Sequence, residues 1–232
     1  MNEIWILLLL ILAAALPVII AFCLLRRGST GQQGIGESKP PLTMFLFLVA
    51  LASGILSLFI ATLLQNFLPY INSGEQGGPF PVFFNTFFRI ALAEELSRIV
   101  ILIPLFRVIK RRQNIDISFC AAMGLVAGLG FAMLESAFYG LADVNIALLR
   151  AFTAAPLHGA CGIRAGVAVF FFARYPVKAL FVFIFAVLIH GAYNMMIVSP
   201  ALPSILAVLV ALTALFSSLS FLKATDREPG TP

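Results

Sequence analysis

Apolar residues run through this chain in blocks of about 20, each broken by a short polar connector. Seven blocks are visible, at approximately 4–25, 42–68, 83–106, 117–140, 147–173, 176–198 and 201–222. A helix rising 1.5 Å per residue needs about 20 apolar residues to cross the hydrocarbon core of a bilayer, so each block predicts a spanning helix. The connectors, among them "RRGSTGQQGIGESKPP", "PYINSGEQGGPFP", "RVIKRRQNID" and "RYPVK", gather the proline, glycine and polar residues that interrupt helices. The expected fold class is an all-α membrane protein, a polytopic bundle of about seven transmembrane helices. A single helical domain takes in residues 1–222, and "KATDREPGTP" reads as a disordered tail over 223–232.

Composition agrees with that reading. The chain is 61% hydrophobic and 11% charged, far from the roughly 25% charged residues of soluble domains. The net charge of +5 is distributed as a topology signal. Arg26, Arg27 and Lys39 follow the first block, Arg107, Lys110, Arg111 and Arg112 the third, Arg174 and Lys178 the fifth, and Lys223 and Arg227 the seventh. Basic residues mark cytoplasmic connectors, so the N-terminus is expected outside and the C-terminus in the cytoplasm of a cell-membrane protein. Lipid accounts for the charge, and no nucleic-acid partner is expected. The first block lacks the basic n-region of a signal peptide and ends in two arginines, which predicts a retained helix. Cys23, Cys120 and Cys161 stand singly in apolar runs and read as small buried hydrophobes.

Five ionisable residues inside the blocks break the pattern: Glu94 and Glu95 in the third, Glu135 in the fourth, His158 in the fifth and His190 in the sixth. An ionised group at the centre of a spanning helix costs roughly 2.5–3.5 kcal/mol, so these groups must pair, protonate, bind something or face water. Counted from the block ends, all five fall in the outer half of the bilayer at similar depth. At about 100° per residue, Arg98 projects between Glu94 and Glu95 as a counter-charge. Gly124, Gly128, Phe131 and Glu135 share a stripe that invites a close neighbour. Ala151, Ala155, His158, Gly162 and Ala165 form a second small-residue face, and Asn194 lies one turn beyond His190. Arg164, deeper, reads as structural or snorkelling.

Carboxylates and imidazoles gathered in an apolar pocket suit general acid–base work on water. Two imidazoles and a carboxylate also match a zinc ligand set with one open position, and Asn194 has the chemistry to donate to a developing oxyanion. Other protease designs fit badly. There is no HExxH, the three aspartates (Asp116, Asp143, Asp226) lie in connectors or the tail, and "LASG" puts Leu51 where a serine-protease GxSG needs glycine.

"AEELSR", "GLGFAMLES", "RAFTAAPLHGACG" and "LIHGAYN" resemble, in order and spacing, the motifs of the PrsW family of intramembrane proteases, a family related to the CAAX prenyl proteases. The resemblance covers about 83–198, the expected protease core. Arg98 stands where the family usually has lysine. What it implies is cleavage of a membrane-anchored protein near the outer face, typified by a single-pass anti-sigma factor. By motif, Glu94, Glu95, Glu135, His158 and His190 would be catalytic, supported by Arg98, Phe131 and Asn194. A metal, zinc if one is used, would be held by Glu95, Glu135, His158 and His190, while a metal-free glutamate mechanism would employ the same residues. Two competing readings are a non-catalytic membrane scaffold and a proton-coupled transporter using Glu135 and the histidines as a relay.

Overall fold

The computed structural model describes residues 12, 15–30, 43–72, 79–141, 144–199, 203 and 205–223, all of the regular structure being helical. In chain order the helices are α1 (Leu16–Thr30), α2 (Met44–Phe67), α3 (Pro79–Phe84), a π-helix (Asn85–Leu92), α4 (Ala93–Lys110), α5 (Ile117–Gly140), α6 (Val144–Phe172), α7 (Pro176–Val198) and α8 (Ile205–Lys223). The segment from α3 through the π-helix to α4 is continuous, so the described residues form seven rods. Five helices, α2, α5, α6, α7 and α8, are long and apolar enough to cross a membrane. The α3–α4 rod departs from that pattern because it carries the glutamates and arginines singled out above. The beginning of the first predicted block, the middle of "PYINSGEQGGPFP" and the tail beyond Lys223 lie outside the described residues.

Local chemistry explains several boundaries. The Thr43 hydroxyl accepts from the Leu46 amide at 3.3 Å and the Asp116 carboxylate from the Phe119 amide at 2.7 Å, satisfying helix-start donors. Pro176 opens α7 at a position where its missing N–H is not needed. Ser53, Ser57 and Ser97 each donate back to the carbonyl three residues earlier, so these three hydroxyls are paired within their own helices.

Helix α5 is the centre of the bundle, with nearly every residue from Ile117 to Ala132 buried. Its glycines let neighbouring backbones touch it. A Cβ on Gly124 would fall on the carbonyl oxygen of Gly162, and one on Gly128 on that of His158. Across the other face, α2 comes close enough that a Cβ on Gly54 would overlap the Ala127 carbonyl. Where lipid surrounds a bundle, such backbone approach supplies the van der Waals packing that hydrophobicity cannot. The expected small-residue stripes are thus the α5–α6 interface.

One expectation changes, and the choice between a structural and a snorkelling Arg164 is decided. Cys23 is exposed on α1, whereas Cys120 and Cys161 are buried; a thiol is apolar enough to face lipid, so burial did not follow from its setting. Arg164 does not snorkel. It is 3% exposed, donates to the Ala160 and Ala214 carbonyls at 3.2 and 3.1 Å and to Ser217 Oγ at 2.7 Å, and so pins α8 to α6.

Candidate functional site

Each of the five ionisable residues picked out above reaches one cluster near the end of the bundle where α4 begins and α5 and α7 finish. Glu94, Glu95, Arg98, His158 and His190 are at most 3% exposed. Glu95 Oε1 pairs with an Arg98 guanidinium nitrogen and stands 2.7 Å from His190 Nδ1. Arg98 Nη2 reaches His158 Nδ1 at 2.7 Å, and His158 Nε2 lies 2.9 Å from Glu135 Oε2. Glu135 Oε2 in turn meets Arg150 Nη2 at 2.5 Å. Glu94 Oε1 is approached by Gln65 Nε2 at 3.4 Å, and Glu94 Oε2 by His190 Nε2 at 3.5 Å. A single polar chain therefore runs from Gln65 to Arg150 through α2, α4, α7, α6 and α5.

Donor logic fixes the histidine tautomers. Arginine only donates, so His158 Nδ1 must accept from Arg98 and its Nε2–H must point to Glu135. Glu95, ion-paired with Arg98, accepts, so His190 donates through Nδ1–H, and its Nε2 is turned toward Glu94. Arg98 is thus committed to Glu95 and His158 rather than shared between the two glutamates. Its flat face also lies 4.4 Å from the centre of the Phe131 ring. Phe131 in turn sits 5.0 Å from His158, and the two imidazoles meet edge to face at 4.9 Å.

The backbone before the glutamates is unusual. Residues Asn85–Leu92 form a π-helix, a form concentrated at functional sites. The Asn85 side chain holds both the N–H and C=O of Ile71, at 3.2 and 2.8 Å, tying the connector to the helix. Two residues on, the Phe87 ring occupies the space where a Cβ of Gly191 would be, pressing the π-helix against α7 beside His190.

The residues present fit a metal ion. Atoms of Glu94, His158 and His190 lie within 4.8 Å of one another, and a second group joins Glu95, Cys161 and His190. Glu94 Oε2 is buried without a hydrogen bond and faces Nε2 of His190 at 3.5 Å. The other imidazole nitrogen of His190 is held by a carboxylate, as in ligating histidines generally. Three carboxylates face two guanidiniums, so the acids outnumber the fixed cations by one. His158 is the less ready donor, since ligation through Nε2 would replace its hydrogen bond to Glu135.

Three contributors were missed in the sequence. Gln65 and Arg150 sit near helix ends, where polar residues are ordinary, and Cys161 reads as apolar. Asn194 is half-buried and joins none of the contacts that link the cluster. An apolar cavity of about 180 Å³ between α4, α6 and α7, lined by Leu96, Ile99, Ile103, Val169, Phe172 and Phe183, contains no titratable side chain and lies apart from the cluster.

A family model described as PrsW family intramembrane metalloprotease matches residues 39–219. No curated protein and no solved structure matches the chain. The family match spans most of the 232 residues and includes every member of the cluster, so the chain belongs to the PrsW family of intramembrane metalloproteases and is an integral membrane protein.

Proposed function

We propose that the protein is a metal-dependent endopeptidase that hydrolyses a peptide bond of a membrane-anchored protein, a single-pass substrate such as an anti-sigma factor, near the outer face of the cell membrane. The distribution of basic connectors supports placing the N-terminus outside, the C-terminus in the cytoplasm and the cluster in the outer half of the bilayer. The observation that carries the reading is the buried Glu94 Oε2, which has no hydrogen bond and faces His190 Nε2, with His158 within ligand range.

Glu94, His158 and His190 would hold the ion, zinc by the chemistry of this donor set. When bound, such an ion activates water and polarises a carbonyl. The chain's own residues do the rest. Glu95 takes the Nδ1 proton of His190 and fixes that ring; Arg98 fixes Glu95. Glu135 stands at the accessible edge, its side chain 14% exposed. It receives a proton from water as oxygen bonds to the carbonyl carbon, then returns it to the amide nitrogen as the C–N bond breaks. With His158 Nε2 given over to the ion, Arg150 would hold Glu135 in place.

One observation favours a second reading. His158 spends both ring nitrogens, on Arg98 and Glu135, which suits a metal-free mechanism in which Glu94 is the base. Metal analysis of purified protein, alongside cleavage of a co-expressed single-pass substrate, separates them. The expected result is about one zinc per chain, lost with activity on chelation, and a Glu94→Gln variant that loses both metal and at least ~10²-fold in cleavage. Cleavage without metal, still abolished by Glu94→Gln, moves the assignment to the glutamate mechanism. Neither metal nor cleavage of any membrane substrate sinks the protease reading in favour of a scaffold.

A further inference from the structure

Hydrolysis of an amide places negative charge on the carbonyl oxygen, and a donor aimed there contributes much of the rate. The expected donor, Asn194, is absent from the network. Both ring nitrogens of His190 are turned to carboxylates, Nδ1 to Glu95 and Nε2 to Glu94. Arg98 is enclosed, with its side chain 0% exposed and its terminal nitrogens committed to Glu95 and His158. Gln65 faces Glu94 from α2 at 3.4 Å.

Arg150 differs from all of these. It is the cation at the accessible edge, with 16% of its side chain exposed. Of its nitrogens, Nη2 is used on Glu135 and Nε is enclosed without a partner, so the guanidinium's remaining N–H capacity lies at Nη1. Its plane is fixed from below by the Tyr139 ring, 4.2 Å from Cζ. Tyr193, on α7, donates to Thr153 Oγ1 at 3.1 Å, holding the first turns of α6 against the cluster.

We propose that Arg150 is a catalytic residue: its guanidinium receives the scissile carbonyl and donates to the oxyanion that forms, beside the Glu135 carboxylate that takes the proton. This rests on the protease reading above. Because Arg150 and Glu135 are in contact, one substrate peptide bond docked on the guanidinium lies next to the proton acceptor without any rearrangement of the buried residues. The electron pair leaving the carbonyl π-bond resides on oxygen while Arg150 donates to it, and returns to carbon as the amine departs.

The test compares wild type, Arg150→Gln and Arg150→Lys in steady-state cleavage of a purified single-pass substrate and in binding of a peptidyl phosphinate, a stable mimic of the tetrahedral species. For Arg150→Gln, kcat should fall about 10²–10³-fold with little change in KM, and phosphinate affinity should fall by a similar factor. Arg150→Lys, which keeps a point charge without the fork, should recover part of both. A structural role in holding Glu135 would lower kcat yet leave phosphinate affinity unchanged, which overturns the proposal. Unaltered cleavage by Arg150→Gln overturns it too. A variant that fails to fold is replaced by Arg150→Lys, on which the same comparison of kcat with phosphinate affinity decides. Wild type that cleaves nothing overturns the protease reading, and this proposal with it.

Discussion

Arg98 spends its two terminal nitrogens on different helices, one on Glu95 of its own α4 and one on His158 of α6. A lysine here could not do the same, because an ammonium is a point donor and cannot span both partners in one plane. Arg98→Lys should keep the Glu95 pair, release His158 Nδ1 and lower cleavage about 10–100-fold, the usual cost of losing an orienting contact behind a ligand. Unchanged cleavage, with unchanged metal content, would show that His158 needs no such orientation. At this scale the sequence was informative where a residue contradicted its surroundings. Glu94, Glu95, Glu135, His158 and His190 stood out because ionisable groups are costly in apolar runs. Gln65 and Arg150 did not, because helix ends carry polar groups for many reasons, and only the packing of α2 and α6 aims these two inward. Asn194 misled for the opposite reason. Four residues beyond His190 it shares a face, yet lies about 6 Å further along the axis.

Between helices, the α5–α6 interface is set by glycine. Gly124 and Gly128 face Gly162 and the His158 carbonyl so closely that any Cβ would overlap backbone rather than a side chain able to move. Backbone cannot yield by rotating a bond, so Gly162→Ala must separate the helices. The expected loss is about 1–3 kcal/mol, visible as a lower unfolding temperature in detergent. Because His158 lies one turn from Gly162, cleavage should fall as well. A variant that melts with wild type would mean that the two helices are less closely apposed than described. The small-residue stripes were readable in advance, since their spacing follows the helical repeat. The π-helix was not. Its i→i+5 bonding leaves no periodic mark in "NTFFRIAL", and what holds it, the Phe87 ring against Gly191 and the Asn85 grip on Ile71, joins segments distant in sequence.

Across the whole molecule, every charge in the cluster finds a partner on another helix, and only Glu95 and Arg98 also pair within one. Glu94 answers to Gln65 and His190, Glu135 to His158 and Arg150. Blocks, connectors and the helical class were legible because bilayer thickness dictates them, whereas the order in which these partners become available was not written in any one segment. That order has a consequence for biogenesis. While the chain is being synthesised, α4 leaves the ribosome with two glutamates and an arginine before α6 or α7 exists. Left alone in lipid, each unpaired ionised group costs roughly 2.5–3.5 kcal/mol. A chain truncated after residue 141 should therefore insert the 79–110 rod poorly, read as reduced protease protection or altered labelling of cysteines placed at its ends, while the full chain inserts it completely. Equal insertion of both would mean that the Glu95–Arg98 pair alone is enough to carry α4 into the membrane. Otherwise the nascent chain must keep this helix at the insertion machinery until its partners arrive.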